Sequence, residues 1–452
     1  MRKQPTDVLP PEILSIIFLE GLPSYTHRFK VDRHRRSISQ VCRSWRAFCI
    51  DTPLLWRALY ISHKNISTGD DWERLKLLIE RARTVPLDLS IYFYDLNNPS
   101  INQATLSRLT GYLTPLLPRV RNLHYTSIHM GAILAFFPLP RSMPFLRKLR
   151  LILAPWPMGH KFITLWRHDS SFPLLESLSV EGPSFETINS TLDGIPRGQV
   201  RHFNVNHIFC ARERIGYISQ SRHLDSLGWH PLHLEEARLQ NSPDDLPRFC
   251  SNTLHSLIVN GSIHVLLRLL DTTHSIRHLE LSPGGVECID AAKSTDFIHL
   301  RTISLRSSPL TQEISLYAFI STHPTIFAIE LNARDYYKLL PLLFSGRNRK
   351  AHNVSFIRVV ATSDWDLCDV PEAVMRDWLE SPWTSRLEWN YLDFTRRDGA
   401  EWPNGHERIQ ALANSFPEQF RWIEEDEAVP FDKIASLGPD GWPSCEEAVQ
   451  RI

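Results

Sequence analysis

The sequence predicts an α/β solenoid, a parallel sheet with helices on its outer side, preceded by a small all-α unit of three helices. Three observations carry that prediction. A hexapeptide apolar at its first, fourth and sixth positions recurs ten times between residues 120 and 359. Helix-patterned segments such as "SIHVLLRLLDTT" and "LTQEISLYAFIST" lie between the copies. The first sixty residues lack this alternation and carry apolar residues at helical spacing instead.

After "LPP", Ile13, Leu14, Ile17 and Phe18 fall at i, i+1, i+4 and i+5, one face of a short helix that starts just past the prolines and ends near Gly21 and Pro23. "SYTHRFKVDRHRR" has no apolar period and reads as a solvated loop over 24–36. Ile38, Val41, Cys42, Trp45, Phe48 and Cys49 then form a wide apolar stripe on one second helix that stops before Pro53. "TPLLWRALYI" supplies a third short element with Leu54, Leu55, Trp56 and Leu59. A unit this small buries too little of its surface to be secure alone, so it is expected to borrow a partner.

"WERLKLLIERA" sets Trp72, Leu75, Leu78, Ile79 and Ala82 on one side of a linking helix. In "VPLDLSIYF", Leu87, Leu89, Ile91 and Phe93 alternate as a strand does. The repeats follow: "VRNLHY" from Val120, then copies from Leu146, Leu175, Val200, Leu224, Leu254, Ile276, Leu300, Ile326 and Val354. Successive starts are separated by 26, 29, 25, 24, 30, 22, 24, 26 and 28 residues. That spacing is close to the period of leucine-rich repeats, roughly 20–29 residues. An ordinary α/β domain would alternate strands and helices without a fixed period. The Asn or Cys of the leucine-rich consensus is replaced by Ala154, Pro183 and Ile208, so the turns close differently and the horseshoe is expected to be irregular. The last fifty-odd residues leave the period, with a helix expected over 407–414, the aromatic pair Phe420 and Trp422, and an acidic run. A cap for an exposed solenoid end is the natural reading. The chain thus divides into a helical module (1–62), a linker helix and first strand/helix unit capping the solenoid (63–119), the repeats (120–394), and a C-terminal cap with an acidic tail (395–452).

Composition excludes several functions. Fifty Lys plus Arg balance fifty Asp plus Glu, which is poor material for binding a polyanion, so nucleic acid is not an expected partner. Residues 1–50 nevertheless carry nine basic and four acidic side chains, and 401–452 four basic and eleven acidic, read as solvated surfaces of opposite sign. Seven widely spaced cysteines without a Cys-x-x-Cys pair suggest neither a disulfide framework nor a zinc module. Free thiols, the lack of an apolar run of signal-peptide or membrane length, and sequons at Asn65, Asn189, Asn260 and Asn353 read as chance matches place the chain inside the cell, cytoplasmic and/or nuclear. No membrane partner is expected. Phosphate-binding, dinucleotide, zinc-protease and nucleophile-elbow motifs are missing, so the chain is read as non-catalytic. His202 and His207 would face opposite sides of a strand, which argues against a metal with Cys210; no cofactor or metal is expected.

The order LP-x-E-I-L-x-x-I-F, V-C-x-x-W-R, P-L-L-W-R-x-L over residues 7–62 resembles the F-box, with a longer basic loop between the first two helices than the family has. The whole arrangement is similar to the large F-box families of mushroom-forming fungi. The resemblance implies a non-catalytic substrate-recognition subunit of a ubiquitin ligase that docks the Skp adaptor and, through it, a cullin. It implies that Leu9, Pro10, Ile13, Leu14, Ile17, Val41, Cys42, Trp45 and Trp56 supply or brace the adaptor contacts. Trp45 and Phe48 suit core packing at least as well. In a leucine-rich solenoid the third, fifth and seventh motif positions pave the inner sheet face and would meet an unknown protein substrate. Here they include Lys148, Arg150, His202, Asn204, Asn206, His230, Asn260, His278, Glu280, Arg306, Glu330, Asn332 and Arg358. The rival reading is a leucine-rich scaffold whose N-terminal helices merely cap the solenoid and recruit no ligase. A cap would bury its apolar face, whereas a docking module would expose it.

Overall fold

The computed structural model describes residues 9–22, 28–62, 66, 69–93, 103–127, 130–140, 142–153, 164–167, 169–181, 192, 195, 198–205, 218, 221, 223–229, 253–259, 270, 275–281, 297–305, 313–332, 339, 353–354, 356–361, 386–391, 414–415 and 420–424. The chain forms two compact units, Met1–Tyr217 and Ile218–Ile452.

The first unit opens with helices α1 (Pro11–Glu20), α2 (Arg28–Gln40) and α3 (Arg43–Asp51), then a 3₁₀ turn over Pro53–Trp56. Pro11 at the first helical position and Glu12 in the first turn suit the start of α1, where amide protons lack partners and the dipole favours negative charge. Six parallel strands follow: β1 (Ala58–Ser62), β2 (Leu87–Phe93), β3 (Val120–Ser127), β4 (Lys148–Leu153), β5 (Ser177–Glu181) and β6 (His202–Val205). Helices α4 (Gly69–Ala82), α5 (Gln103–Leu113) and α6 (Met130–Phe136) lie between the first strands. On α4 the buried side chains are Trp72, Leu75, Ile79 and Ala82, the stripe that its spacing predicts.

The strand register is the register of the sequence motif. Leu59, Leu89, Leu123, Leu149, Leu178 and Phe203 pair in one row across β1 to β6. Ile61, Ile91, Tyr125, Leu151, Val180 and Val205 form the next row. These are the fourth and sixth motif positions from β3 onward, and side chains two apart on a strand share a face. Slipping one strand by a residue would move its whole apolar set to the other face, which is why the register holds. Leu123 has no exposed surface; truncating it to Ala would cost ~2–5 kcal/mol in lost transfer energy and cavity.

The second unit repeats the pattern in β7 (Ser226–Trp229), β8 (Ser256–Val259), β9 (His278–Leu281), β10 (Thr302–Leu305), β11 (Ala328–Asn332), β12 (Phe356–Ala361), β13 (Arg386–Tyr391) and β14 (Phe420–Glu424), all parallel. Leu227, Leu257, Leu279, Ile303, Ile329, Ile357, Leu387 and Phe420 make its central apolar row. Helix α7 (Glu313–Thr322) lies in the predicted "LTQEISLYAFIST" segment.

Four expectations are corrected. The segment expected as a loop over 24–36 is helical from Arg28. Among the described side chains of α2 the buried ones are Val31, Arg35 and Ile38, spaced i, i+4, i+7, so an arginine at the centre of the stripe hid the helical period. The single second helix is two, broken at Val41 and Cys42, with Cys42 capping α3. The third element is a 3₁₀ turn that runs into strand β1, which pairs with β2. Beyond residue 394 the period does not end, because β14 pairs with β13, Trp389 opposite Trp422. These two strands escaped the motif because Thr384 and Pro417 occupy its apolar first position. Most of the helix expected over 407–414, and the turn residues Ala154, Pro183 and Ile208, lie outside the described residues.

Candidate docking site

Helix α1 has two unlike faces. Leu14 and Phe18, four apart, are buried, while Ile13, Ile16 and Ile17, at i, i+3 and i+4, are exposed, with Leu9 one turn before them. The reason lies in α3. Phe18 packs edge-on against Trp45, ring centroids 4.7 Å apart, and against Phe48 at 5.8 Å. These aromatics occupy the inner side of α1, which leaves the isoleucines on its other side exposed. Seven of the twelve large apolar side chains exposed among the described residues lie between 9 and 54: Leu9, Ile13, Ile16, Ile17, Val41, Ile50 and Leu54. Ile17 is 49% exposed and Val41 57%. An apolar surface this concentrated is the mark of an interaction site rather than of scattered surface residues.

The scaffold beneath is held by polar contacts of high specificity. His34 Nε2 on α2 lies 2.9 Å from the Phe18 carbonyl at the end of α1. Gly21 makes that approach possible, since a Cβ there would sit 2.7 Å from His34 Cε1. The Cys42 Sγ accepts the Trp45 amide proton at 3.4 Å and so caps α3. Arg35, 6% exposed, donates from Nε to the Leu55 carbonyl (2.7 Å) and from Nη2 to the Ala58 carbonyl (2.8 Å). Burial lowers its pKa to about 10, against the pull of Asp32 in the other direction. Asp32 also pairs with Arg74 on α4 at 2.7 Å. Trp56 donates its indole proton to the Cys49 carbonyl (2.7 Å), while the guanidinium groups of Arg81 and Arg35 lie 4.5 and 5.3 Å from its ring centroid. A buried carboxylate, Asp88 on β2, accepts from Asn122 (2.6 Å) and from both Nε and Nη2 of Arg121, and sits 3.2 Å from Arg57. The helices and the first three strands are therefore tied by charge as well as by packing.

Of the residues expected at an adaptor interface, Leu9, Pro10, Ile13, Ile17 and Val41 are exposed, Cys42 and Trp45 are half-buried, and Leu14 and Trp56 are buried within the chain. Leu14 and Trp56 brace the surface from inside. Ile16, Ile50 and Leu54 belong to the same exposed set and were missed, because spacing alone does not say which apolar residues of a helix face the core.

The inner-face residues divide differently. Lys148, Arg150 and His202 are exposed, and Asn204 and Glu280 are half-buried. Arg150 lies 3.9 Å from Glu181. His278, Glu330 and Arg358 are only 3%, 3% and 2% exposed, which corrects the expectation that this row points to solvent. Strands stand ~4.8 Å apart, so like positions on neighbours can bond laterally. His278 Nδ1 meets the Thr302 hydroxyl at 2.8 Å, Ser304 donates to Glu330 at 2.5 Å, and Arg358 lies 3.7 Å from Glu330. Asn206, His230, Asn260 and Arg306 lie outside the described residues, as do His207 and Cys210, and nothing is described of the Asn332 side chain. In the first unit the same face buries His124 between the Tyr92 hydroxyl (2.7 Å from Nδ1) and the Thr126 hydroxyl (3.2 Å from Nε2). Burial, helped by the Arg150 charge, lowers the His124 pKa to about 3, so the ring is neutral.

A family model described as F-box-like matches residues 6–62, the segment that carries the exposed apolar set. No curated protein matches the chain. F-box domains typically bind the Skp adaptor, and proteins that contain them are typically non-catalytic adaptor subunits. The match supports an adaptor role in ubiquitin ligation in general terms.

Proposed function

We propose that the chain is the substrate-recognition subunit of a Skp–cullin–F-box ubiquitin ligase. The N-terminal helices dock the Skp adaptor, and the repeats, read as an irregular leucine-rich solenoid of fungal F-box type, hold a protein target for ubiquitin-dependent degradation inside the cell. The observation that carries this reading is the exposed stripe Leu9, Ile13, Ile16 and Ile17 on α1, within the matched segment. A terminal cap for the repeats would bury such a stripe, so its exposure favours docking over the scaffold reading. Aromatic and aliphatic anchors at the centre of an interface contribute ~2 kcal/mol or more each.

The test is a binding titration of the full chain against purified Skp adaptor. A Leu9→Ala, Ile17→Ala double variant, folded by circular dichroism, is expected to weaken binding by ~100-fold or more, at ~1.4 kcal/mol per tenfold. Leu174→Ala, exposed but outside the matched segment, is expected to bind as wild type. Equal affinity of the double variant and wild type would refute the assignment of the docking face.

A further inference from the structure

Beside the apolar docking face the outward surfaces of α2 and α3 carry four exposed arginines, and their one exposed carboxylate, Asp51 at the end of α3, is paired with Arg83. On α2, with Val31, Arg35 and Ile38 turned inward, Arg33, Arg36, Ser37 and Gln40 are exposed. On α3, where Trp45, Phe48 and Cys49 turn inward, the exposed stripe is Arg43, Arg46, Ala47 and Ile50, at i, i+3, i+4 and i+7. Val41, the most exposed large apolar residue among those described, joins the two helices.

No carboxylate among the described residues pairs with Arg33, Arg36, Arg43 or Arg46. The two acidic side chains of α2 and α3 are engaged elsewhere, Asp32 with Arg35 and Arg74, and Asp51 with Arg83 at 2.8 Å. The Arg46 Nε donates to the Ser39 carbonyl at 3.1 Å, which fixes the α3 stripe beside the last turn of α2. Four arginines within fourteen residues, none of them paired with a carboxylate among the described residues, repel one another, a cost that a docked partner of opposite charge would offset. Exposed aliphatic residues interleave them, a mixture that suits the apolar core and charged rim of a protein interface better than a phosphate backbone.

We infer that the partner docked at residues 9–54 presents carboxylates opposite Arg33, Arg36, Arg43 and Arg46, and that these arginines steer its association. The inference rests on the adaptor reading above, and it adds the part of α2 that sequence alone renders as a loop, with Arg33 and Arg36, to the recognition surface. Rim charges act mainly on the association rate and its salt dependence, whereas the apolar anchors act on dissociation.

The experiment is stopped-flow association of the full chain with purified Skp adaptor between 50 and 500 mM NaCl. For wild type the association rate is expected to fall about tenfold across this range as the charges are screened. An Arg36→Glu, Arg43→Glu double variant is expected to associate about tenfold more slowly at 50 mM and to lose most of the salt slope, with its dissociation rate within about twofold of wild type. Both side chains are exposed, and a glutamate at the start of α3 suits the helix dipole, so the fold should stand; the wild-type salt series needs no variant at all. Adaptor binding with no salt slope in wild type, or an unchanged slope in the double variant, overturns the inference while leaving the adaptor reading intact. No adaptor binding by folded wild type at any salt overturns both. A salt-sensitive affinity for duplex DNA at 150 mM NaCl, lost in the same double variant, would assign the arginines to a polyanion and also overturn it.

Discussion

Replacing Arg35 with Met tests whether a buried cation holds the N-terminal helices to the sheet. The guanidinium makes two short bonds to carbonyls, Leu55 at 2.7 Å and Ala58 at 2.8 Å, and a longer contact to Asp32 at 3.4 Å. Bonds from a charged donor contribute ~1.5–3 kcal/mol each, so the gross loss is ~3–6 kcal/mol. Two terms reduce it. Methionine avoids the desolvation that pulls the Arg35 pKa down to about 10, and Asp32 keeps its 2.7 Å pair with Arg74, so no carboxylate is stranded. A net loss of about 3 kcal/mol follows, at the lower end of what breaking a buried ion pair costs. In a unit of this size that lowers Tm by ~6–12 °C. Arg35→Lys should lose ~2 kcal/mol, because one ammonium cannot span both carbonyls. Thermal and urea melts followed by circular dichroism measure both. If the methionine variant melts within ~2 °C of wild type, the guanidinium contributes nothing net and the other contacts of α2, Val31, Ile38, the Asp32–Arg74 pair and His34, suffice to hold it.

Other outcomes follow from single contacts. His124 is neutral when folded down to about pH 3 but takes a proton near pH 6.5 when unfolded, so the unfolded state binds more protons in that window. Stability should therefore be full above pH 6.5 and fall as pH drops toward 3, by up to ~1.4 kcal/mol per pH unit from this group; denaturant melts of His124→Gln should show a shallower decline, and an identical decline would sink the assignment. Gly21→Ala forces the His34 ring from its place and should cost ~1–2 kcal/mol, yet little in a His34→Ala background. A double-mutant cycle showing simple additivity would contradict that coupling. Cys49 is buried and its thiol is pushed up to about 11, so alkylation of native protein, mapped by mass spectrometry, should modify the half-exposed Cys42 well before Cys49.

How the apolar residues are shared between chain and partner was only partly legible. The period of 13, 14, 17 and 18 shows that α1 has an apolar side, but the four consecutive apolar residues Ile16, Ile17, Phe18 and Leu19 leave the rotation of the helix open. Phe18 decides it by packing on Trp45 and Phe48, residues some thirty positions away. Helix α2 was illegible for a different reason. Its inward stripe contains Arg35, whose burial depends on carbonyls at 55 and 58 that no local pattern reveals.

What the sequence by itself determined is the ladder. Ten hexapeptides with apolar first, fourth and sixth positions became strands whose fourth and sixth residues pair in register within each unit, because burying one face of a period-two chain leaves a single workable alignment. Only the tertiary structure decided the fate of the opposite face. Glu330 and Arg358 read as residues of an open strand face, yet they are buried with Asp88 and His124, because parallel neighbours set polar groups side by side, where they satisfy one another instead of water.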